Sequence, residues 1–213
     1  MILFVRKRFY TTTTSSITTT NRKLTRDGII FIDTETAGLG SSPRLLQLGW
    51  QLRDSSSGKL LNTYTSYIKP EPPFFYISKQ ATEVHGITHR KLYREGRDLR
   101  FVLSLLYQDL LKADSVIAHN MPFDERVIQG TLTLVNDNSL KTLWNEKEKL
   151  CTMEMAGALP QFRKRPSLAA VFETLTGRKS LLGAHSADVD VEMCATCYYE
   201  IKKILKREIE KGG

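Results

Sequence analysis

Four consecutive apolar residues, Ile29-Ile30-Phe31-Ile32, run straight into Asp33-Thr34-Glu35-Thr36-Ala37-Gly38-Leu39. A short run of β-branched and aromatic residues bounded by a Gly-containing turn predicts a strand buried on both faces. After the Gly40-Ser41-Ser42-Pro43 turn, Arg44 to Leu52 partly alternates apolar and polar residues. Leu60 to Ile68 alternates again beyond a second turn, Asp54-Ser55-Ser56-Ser57-Gly58. This pattern predicts a three-strand antiparallel meander. Pro70-Glu71-Pro72-Pro73 ends it.

The period then changes. Ser78 caps a short helical stretch within Ile77 to Gly86, and His85-Gly86-Ile87-Thr88 reads as a turn. Val102, Leu105, Leu106 and Leu110 recur at helical spacing and predict an amphipathic helix over Leu99 to Leu111. Ser115 to Ala118 reads as a short buried strand ending in His119-Asn120. Pro122 opens a helix carrying Phe123, Asp124, Val127 and Ile128, since proline is tolerated in a first turn. Residues 134–147 are polar and weakly patterned, and no element is predicted there. Lys149 to Thr152 forms a last strand, with helices around Met153–Ala158, Ser167–Leu175 and Ala187–Glu210. A meander followed by strands alternating with helices predicts one α/β domain with a mixed sheet over 27–213.

Composition adds little to the body and much to the tail. Residues 1–26 hold six basic residues and no acid, leaving 25 basic and 23 acidic residues to share the remaining chain. The net charge of +8 therefore belongs mostly to the tail and is weak evidence for nucleic-acid binding. Nine of the ten positions from Thr11 to Thr20 are Ser or Thr. The opening Met1 to Val5 is shorter than the ~7–15-residue apolar core of a secretory signal. The tail is either an organellar transit peptide, most like a mitochondrial one, or a tail without an address. No run approaches the ~18 apolar residues of a membrane span, so no membrane partner is expected. The three cysteines, Cys151, Cys194 and Cys197, are too few and too badly spaced for a disulfide framework or a zinc site. Cys194 and Cys197 are expected to pack as small apolar groups on a helix.

The candidate chemistry gathers at element ends. Side chains alternate along a strand, so Asp33 and Glu35 point to one side. They form either an acidic turn cluster or a pair bridged by a divalent cation, since adjacent carboxylates repel and lose hydration. Asp124 follows a second apolar strand at its carboxyl end, where ligands gather in open α/β sheets. It serves equally as an acid complementing a helix dipole. In His185-Ser186-Ala187-Asp188-Val189-Asp190, a loop His and a first-turn Asp are able to line one cavity.

Asp33-x-Glu35, His119-Asn120-x-x-Phe123-Asp124 and His185-x-Ala187-x-x-Asp190, in that order, resemble the three motifs of the DEDDh 3′–5′ exonucleases. That group includes the epsilon proofreading subunit of bacterial DNA polymerase III, the three-prime repair exonucleases and oligoribonuclease. Ala81-Thr82-Glu83-Val84-His85-Gly86-Ile87-Thr88, Cys151-Thr152-Met153 and Ser186-Ala187 also fit, so the resemblance covers about residues 28–205. It implies a ribonuclease H-like fold, a five-stranded mixed sheet flanked by helices. It further implies that Asp33, Glu35, Asp124 and Asp190 hold two divalent cations, Mg²⁺ or Mn²⁺, with His185 as general base. An imidazole titrates near ~6.5 and suits that task at neutral pH.

The same resemblance implies substrate contacts. The Thr34 to Thr36 backbone and Leu39 would hold the terminal nucleotide, His85 and Asn120 the 3′ end, with Phe123 packed beneath. The basic clusters Arg90-Lys91, Arg94, Arg97 and Arg163-Lys164-Arg165 are candidates for the phosphate backbone. Ala37 stands where Thr is usual, and Gln47 where Glu is frequent; neither is a ligand in the family pattern. Asp188 rivals Asp190, but the motif selects Asp190. The expectation is an exonuclease releasing nucleoside 5′-monophosphates from a free 3′ end, DNA favoured, in repair or proofreading, with a DNA polymerase or a second copy as candidate partner. The alternatives are an RNA-trimming enzyme and a nucleic-acid-binding scaffold; all five motif residues are present, which disfavours the scaffold. For the tail, residues 1–26 fused to a fluorescent reporter should colocalise with mitochondria; diffuse fluorescence would remove the transit reading.

Overall fold

A computed structural model describes residues 27–40, 43–72, 74–162, 164–180 and 185–211. The basic tail and its transit expectation, and Arg163, lie outside the described residues. Five strands form one sheet in the order β3-β2-β1-β4-β5: β1 (Gly28–Thr36), β2 (Leu45–Asp54), β3 (Leu60–Tyr67), β4 (Ala113–Ala118) and β5 (Glu148–Cys151). The meander β1-β2-β3 is antiparallel, while β4 and β5 add parallel to β1. Eight helices accompany them among the described residues: α1 (Lys79–His85), α2 (His89–Glu95), α3 (Leu99–Leu110), α4 (Met121–Val135), α5 (Asn138–Asn145), α6 (Thr152–Gly157), α7 (Leu168–Thr176) and α8 (Ala187–Lys211).

Strand β1 is the middle of the sheet, and its apolar run faces two cores. Ile30 and Ile32 join Trp50, Val102, Leu106, Val127, Ile128 and Trp144 on one side. Ile29 and Phe31 join Val171, Phe172, Val191, Tyr198 and Ile201 on the other. Both sides are covered by helices, which is why the run is continuous rather than alternating. Cys194 and Cys197 are buried on α8, as expected of small apolar groups.

Two helices lie where none was expected. Residues 134–147 include α5, capped by Asp137, whose carboxylate accepts the Leu140 N–H at 2.9 Å. Its apolar content is only Leu140, Leu143 and Trp144, but these are all buried, and the Trp144 indole donates to Glu125 at 2.9 Å. Helix α2 carries the Arg90-Lys91 and Arg94 cluster and buries Leu92 alone. In both, capping and one buried stripe suffice because tertiary packing carries a short helix.

Strand β2 sets where α8 begins. Leu48, Trp50 and Leu52 point into the first core, while Gln47, Gly49, Gln51 and Arg53 alternate toward α8. A Cβ added to Gly49 would stand 2.9 Å from the Ala187 carbonyl carbon, oxygen and Cβ, so the helix start rests on bare strand backbone. Gln47 Oε1 accepts the Ala187 N–H at 3.2 Å, satisfying an amide the helix leaves unpaired. Gln51 and Arg53 each donate to Glu192 at 2.8 Å, fixing the next turn. Gly49→Ala should therefore cost about 1–3 kcal/mol of stability through overpacking. Gly40, with nothing within 4 Å of its added Cβ, supplies a control that should be near neutral. Equal urea midpoints for Gly49→Ala and Gly40→Ala would contradict this account.

Candidate active site

The β1–β4 ladder ends at Phe31 and Ile117, so Ile32 to Thr36 have no strand beside them on that flank. The open flank is the mouth of the site. Asp33 and Glu35 project to the α8 face, opposite Gly49 and Gln47 of β2. Because Gly49 carries no side chain there, the first turn of α8 comes down far enough for Asp190 to join them. Carboxylate oxygens of Asp33, Glu35 and Asp190 all lie within 4.8 Å of one another. Asp124 arrives from the opposite face of the sheet, at the first turn of α4, and is 2% exposed. The Thr34 hydroxyl donates to its Oδ1 at 2.8 Å. Thr34 thus turns inward between its two acidic neighbours and ties the fourth carboxylate to β1.

The charges respond to this crowding. Burial, and then the fields of Asp124, Asp190 and Glu35, hold the Asp33 carboxyl well above the usual carboxylate range. Burial followed by Asp190 and Asp124 pushes Glu35 up to about 8. Burial raises Asp124 to about 7 against the lowering effect of the Thr34 hydrogen bond. Asp190 is also raised by burial, opposed by the His185 N–H that reaches its Oδ2 at 3.2 Å. Four acids so placed cannot all ionise in the absence of counter-charge. The donor set is carboxylate oxygen, which suits a hard divalent cation rather than a soft metal.

The other expected residues fall around this cluster. His185 is exposed, in the left-handed region at φ 72°, two residues before α8. Asp188 turns away to the Ser186 hydroxyl, leaving Asp190 in the cluster. Leu39 is 84% exposed just past β1. Thr36 is buried, its hydroxyl donating to the Gly38 carbonyl at 2.8 Å. His85 uses both ring nitrogens internally. Nδ1 accepts the Ile87 N–H at 3.0 Å, so Nε2 carries the proton and donates to the Thr36 carbonyl at 3.0 Å. Its burial lowers its pKa, consistent with a neutral ring. Asn120 sits at φ 73° before α4, and its Oδ1 accepts from Arg165 at 3.1 Å. His119 lies deeper, donating through Nε2 to the Pro166 carbonyl at 2.9 Å and accepting the Thr152 hydroxyl at 3.0 Å. Phe123 is partly buried against the first core, with Arg126 over its ring.

Gln47 and Gly49, which seat α8, are the residues whose part in the site was not read from the sequence, while Arg165, expected only within a basic cluster, meets Asn120. The alternation of β2 was the available signal for both, but nothing in it names α8 as the partner.

The RNase_T family model, described as Exonuclease, matches residues 30–198. The chain belongs to the exonuclease family. Among relatives of this exonuclease-family chain, an uncharacterised exonuclease, CP81, of Escherichia phage 186 is 31% identical over 124 residues, covering 57% of this chain and 58% of the phage protein. A structure of exonuclease I superposes with a TM-score of 0.70 at 18% identity, covering 83% of this chain and 41% of that one. The zinc-bound E. coli ExoI–ssDNA complex gives a TM-score of 0.69 at 18% identity, covering 85% and 42%. The chain thus spans less than two thirds of the phage protein and less than half of the exonuclease I chains. The α/β fold with a five-stranded mixed sheet flanked by helices is the ribonuclease H-like fold of these exonucleases.

The raised carboxylates link cation binding to stability. An acid whose folded pKa lies above its unfolded value holds more protons when folded, so stability falls as pH rises between the two. For Glu35 that window runs from near its unfolded value, ~4.3, to about 8. In chelator, Glu35→Gln should therefore gain stability over the wild type increasingly from about pH 5 to about pH 8. Mg²⁺ or Mn²⁺ should raise the wild-type Tm more at the upper end. Parallel Tm–pH curves for the two proteins would show that the cluster is not strained by charge.

Proposed function

We propose that the chain is a divalent-cation-dependent 3′–5′ exonuclease acting on nucleic acid, DNA favoured, and releasing nucleoside 5′-monophosphates. The supporting observation is the convergence of Asp33, Glu35 and Asp190 within 4.8 Å, with Asp124 buried beside them. Phosphodiester hydrolysis needs an activated water, neutralised phosphate oxygens and a stabilised leaving oxygen. When bound, two divalent cations supply the positive charge for all three. In this reading Asp33, Glu35 and Asp190 hold them and Asp124 completes the set.

The chain's own residues do the rest. His185, at the exposed rim beside Asp190, accepts a proton from the water whose oxygen bonds to phosphorus, as the bond from phosphorus to the 3′-oxygen breaks and that oxygen takes a proton from solvent. Its left-handed backbone conformation costs about 1–3 kcal/mol for a non-glycine residue, a strain found where a side chain must be aimed. The backbone from Thr34 to Thr36 and the exposed Leu39 receive the terminal nucleotide. His85 shapes that wall through the Thr36 carbonyl it holds, and Asn120 lines the α4 side. The exonuclease-family match and the likeness to an ExoI–ssDNA complex support a nucleic-acid substrate and bound metal.

The test uses 5′-labelled single-stranded DNA and RNA oligonucleotides with Mg²⁺ or Mn²⁺ and with chelator. Cation-dependent laddering from the 3′ end is expected, faster on DNA. Asp33→Ala should abolish it, and His185→Ala should slow it by roughly 10²–10⁴-fold, the range for loss of a general base. Failure of either polymer to shorten in any cation would overturn the proposal.

A further inference from the structure

Beside the carboxylate cluster lies a feature that the chemistry at phosphorus does not use. Tyr76 is 79% exposed, yet its backbone is held on both sides. Ile77 is buried with Ala37, Leu46, Ile87 and Leu92. Phe75 packs against the same cluster, with the Arg44 guanidinium 5.2 Å above its ring and the His89 ring 5.2 Å away. The next residue, Ser78, donates its N–H to the Ala37 carbonyl at 2.8 Å and caps α1 through its hydroxyl. Tyr76 therefore stands two residues from a hydrogen bond to the end of β1. Leu39, 84% exposed, stands two residues from the same bond on the other strand of chain.

An aromatic ring left in water on a pinned backbone costs hydration and recovers nothing within the fold. Its rigidity, however, removes most of the entropy lost when a flat partner stacks on it. The neighbouring charge is basic. From Lys79 through Arg97, both included, there are five Lys or Arg residues and two acids, and those acids pair with Lys79 and Arg94. An exposed ring beside a phosphodiester site in a basic surround has the chemistry of single-strand recognition, where bases stack on aromatic side chains and cations follow the backbone.

We propose that Tyr76 is a stacking platform for an unpaired base of the substrate strand, upstream of the terminal nucleotide, and that it makes the enzyme select single-stranded 3′ ends. The inference rests on the exonuclease reading of the carboxylate cluster. A base within a duplex has both faces covered by its neighbours and cannot offer one to Tyr76. The preference is set by the ring face, so it is indifferent to base identity.

The decisive comparison sets Tyr76→Ala and Tyr76→Phe against the wild type on single-stranded oligonucleotides, blunt duplexes and the 4-nitrophenyl ester of thymidine 5′-monophosphate, which has no upstream base. Tyr76→Ala should raise KM for single strands roughly 5- to 100-fold, the range for loss of one stacked base, with kcat little changed. It should leave ester hydrolysis unchanged and bring the rates on single strands and duplexes together. Tyr76→Phe, which keeps the ring, should behave as wild type. With 2-aminopurine placed in turn at the second to fourth positions from the 3′ end, binding in Ca²⁺ should quench fluorescence at one position, and Tyr76→Ala should abolish that quench. Unchanged KM on oligonucleotides, or an equal loss on oligonucleotide and ester, would overturn the platform while leaving the exonuclease site standing. A wild type that hydrolyses none of these substrates would overturn both readings.

Discussion

Mutual repulsion among four carboxylates governs this end of the molecule. Asp33, Glu35, Asp124 and Asp190 come from three elements on two faces of the sheet, and each arrives by a different restraint. Asp33 and Glu35 are held by the central strand, β1. Asp190 is held by the seating of α8 on Gly49 and by the Gln47, Gln51 and Arg53 contacts from β2. Asp124 is held by the Thr34 hydroxyl. Burial is the largest cause of every raised carboxyl among them, so the cores that fix the fold also create the demand for counter-charge. Stability elsewhere in the domain has to carry a site that opposes its own assembly until a cation arrives.

Much of this was legible because it is local. The apolar run of β1, the Ser78 cap, Pro122 at the start of α4 and the Gly177 stop after α7 are signals within a few residues. The order of the acidic motifs implied the cluster through their resemblance to the DEDDh exonucleases. What escaped is nonlocal. Helix α5 needed Glu125, from another helix, to complete the bonding of Trp144. The internal engagement of both His85 nitrogens depends on a β1 carbonyl 49 residues away. His85 was expected at the 3′ end of the substrate, and the fold also makes it a brace between α1 and the end of β1.

Backbone strain marks the same place. Four non-glycine residues have positive φ among the described residues, and Asn120, Arg165 and His185 surround the mouth of the site. Asn136, the fourth, closes the C-terminus of α4, an ordinary use of asparagine. Asparagine and histidine are enriched in the left-handed region, so Asn120 and His185 adopt it more readily than Arg165. Arg165 spends its conformation reaching Asn120, and His185 spends its own placing its N–H on Asp190. The strained residues therefore link the loops to the starts of α4 and α8, from which two of the four acids project.

Gln47 shows why position in the cluster matters more than polarity. It stands opposite Glu35, on the strand next to Asp33. A carboxylate there would place a fifth acid against the other four and, when protonated to relieve that repulsion, would still offer its carbonyl oxygen to Ala187. The amide makes the same contact to the α8 N-terminus with no proton to gain or lose. The Gln47 contact to the start of α8 is thereby separated from the titration of the cluster. Counter-charge is left to be supplied at one place, among the three carboxylates within 4.8 Å.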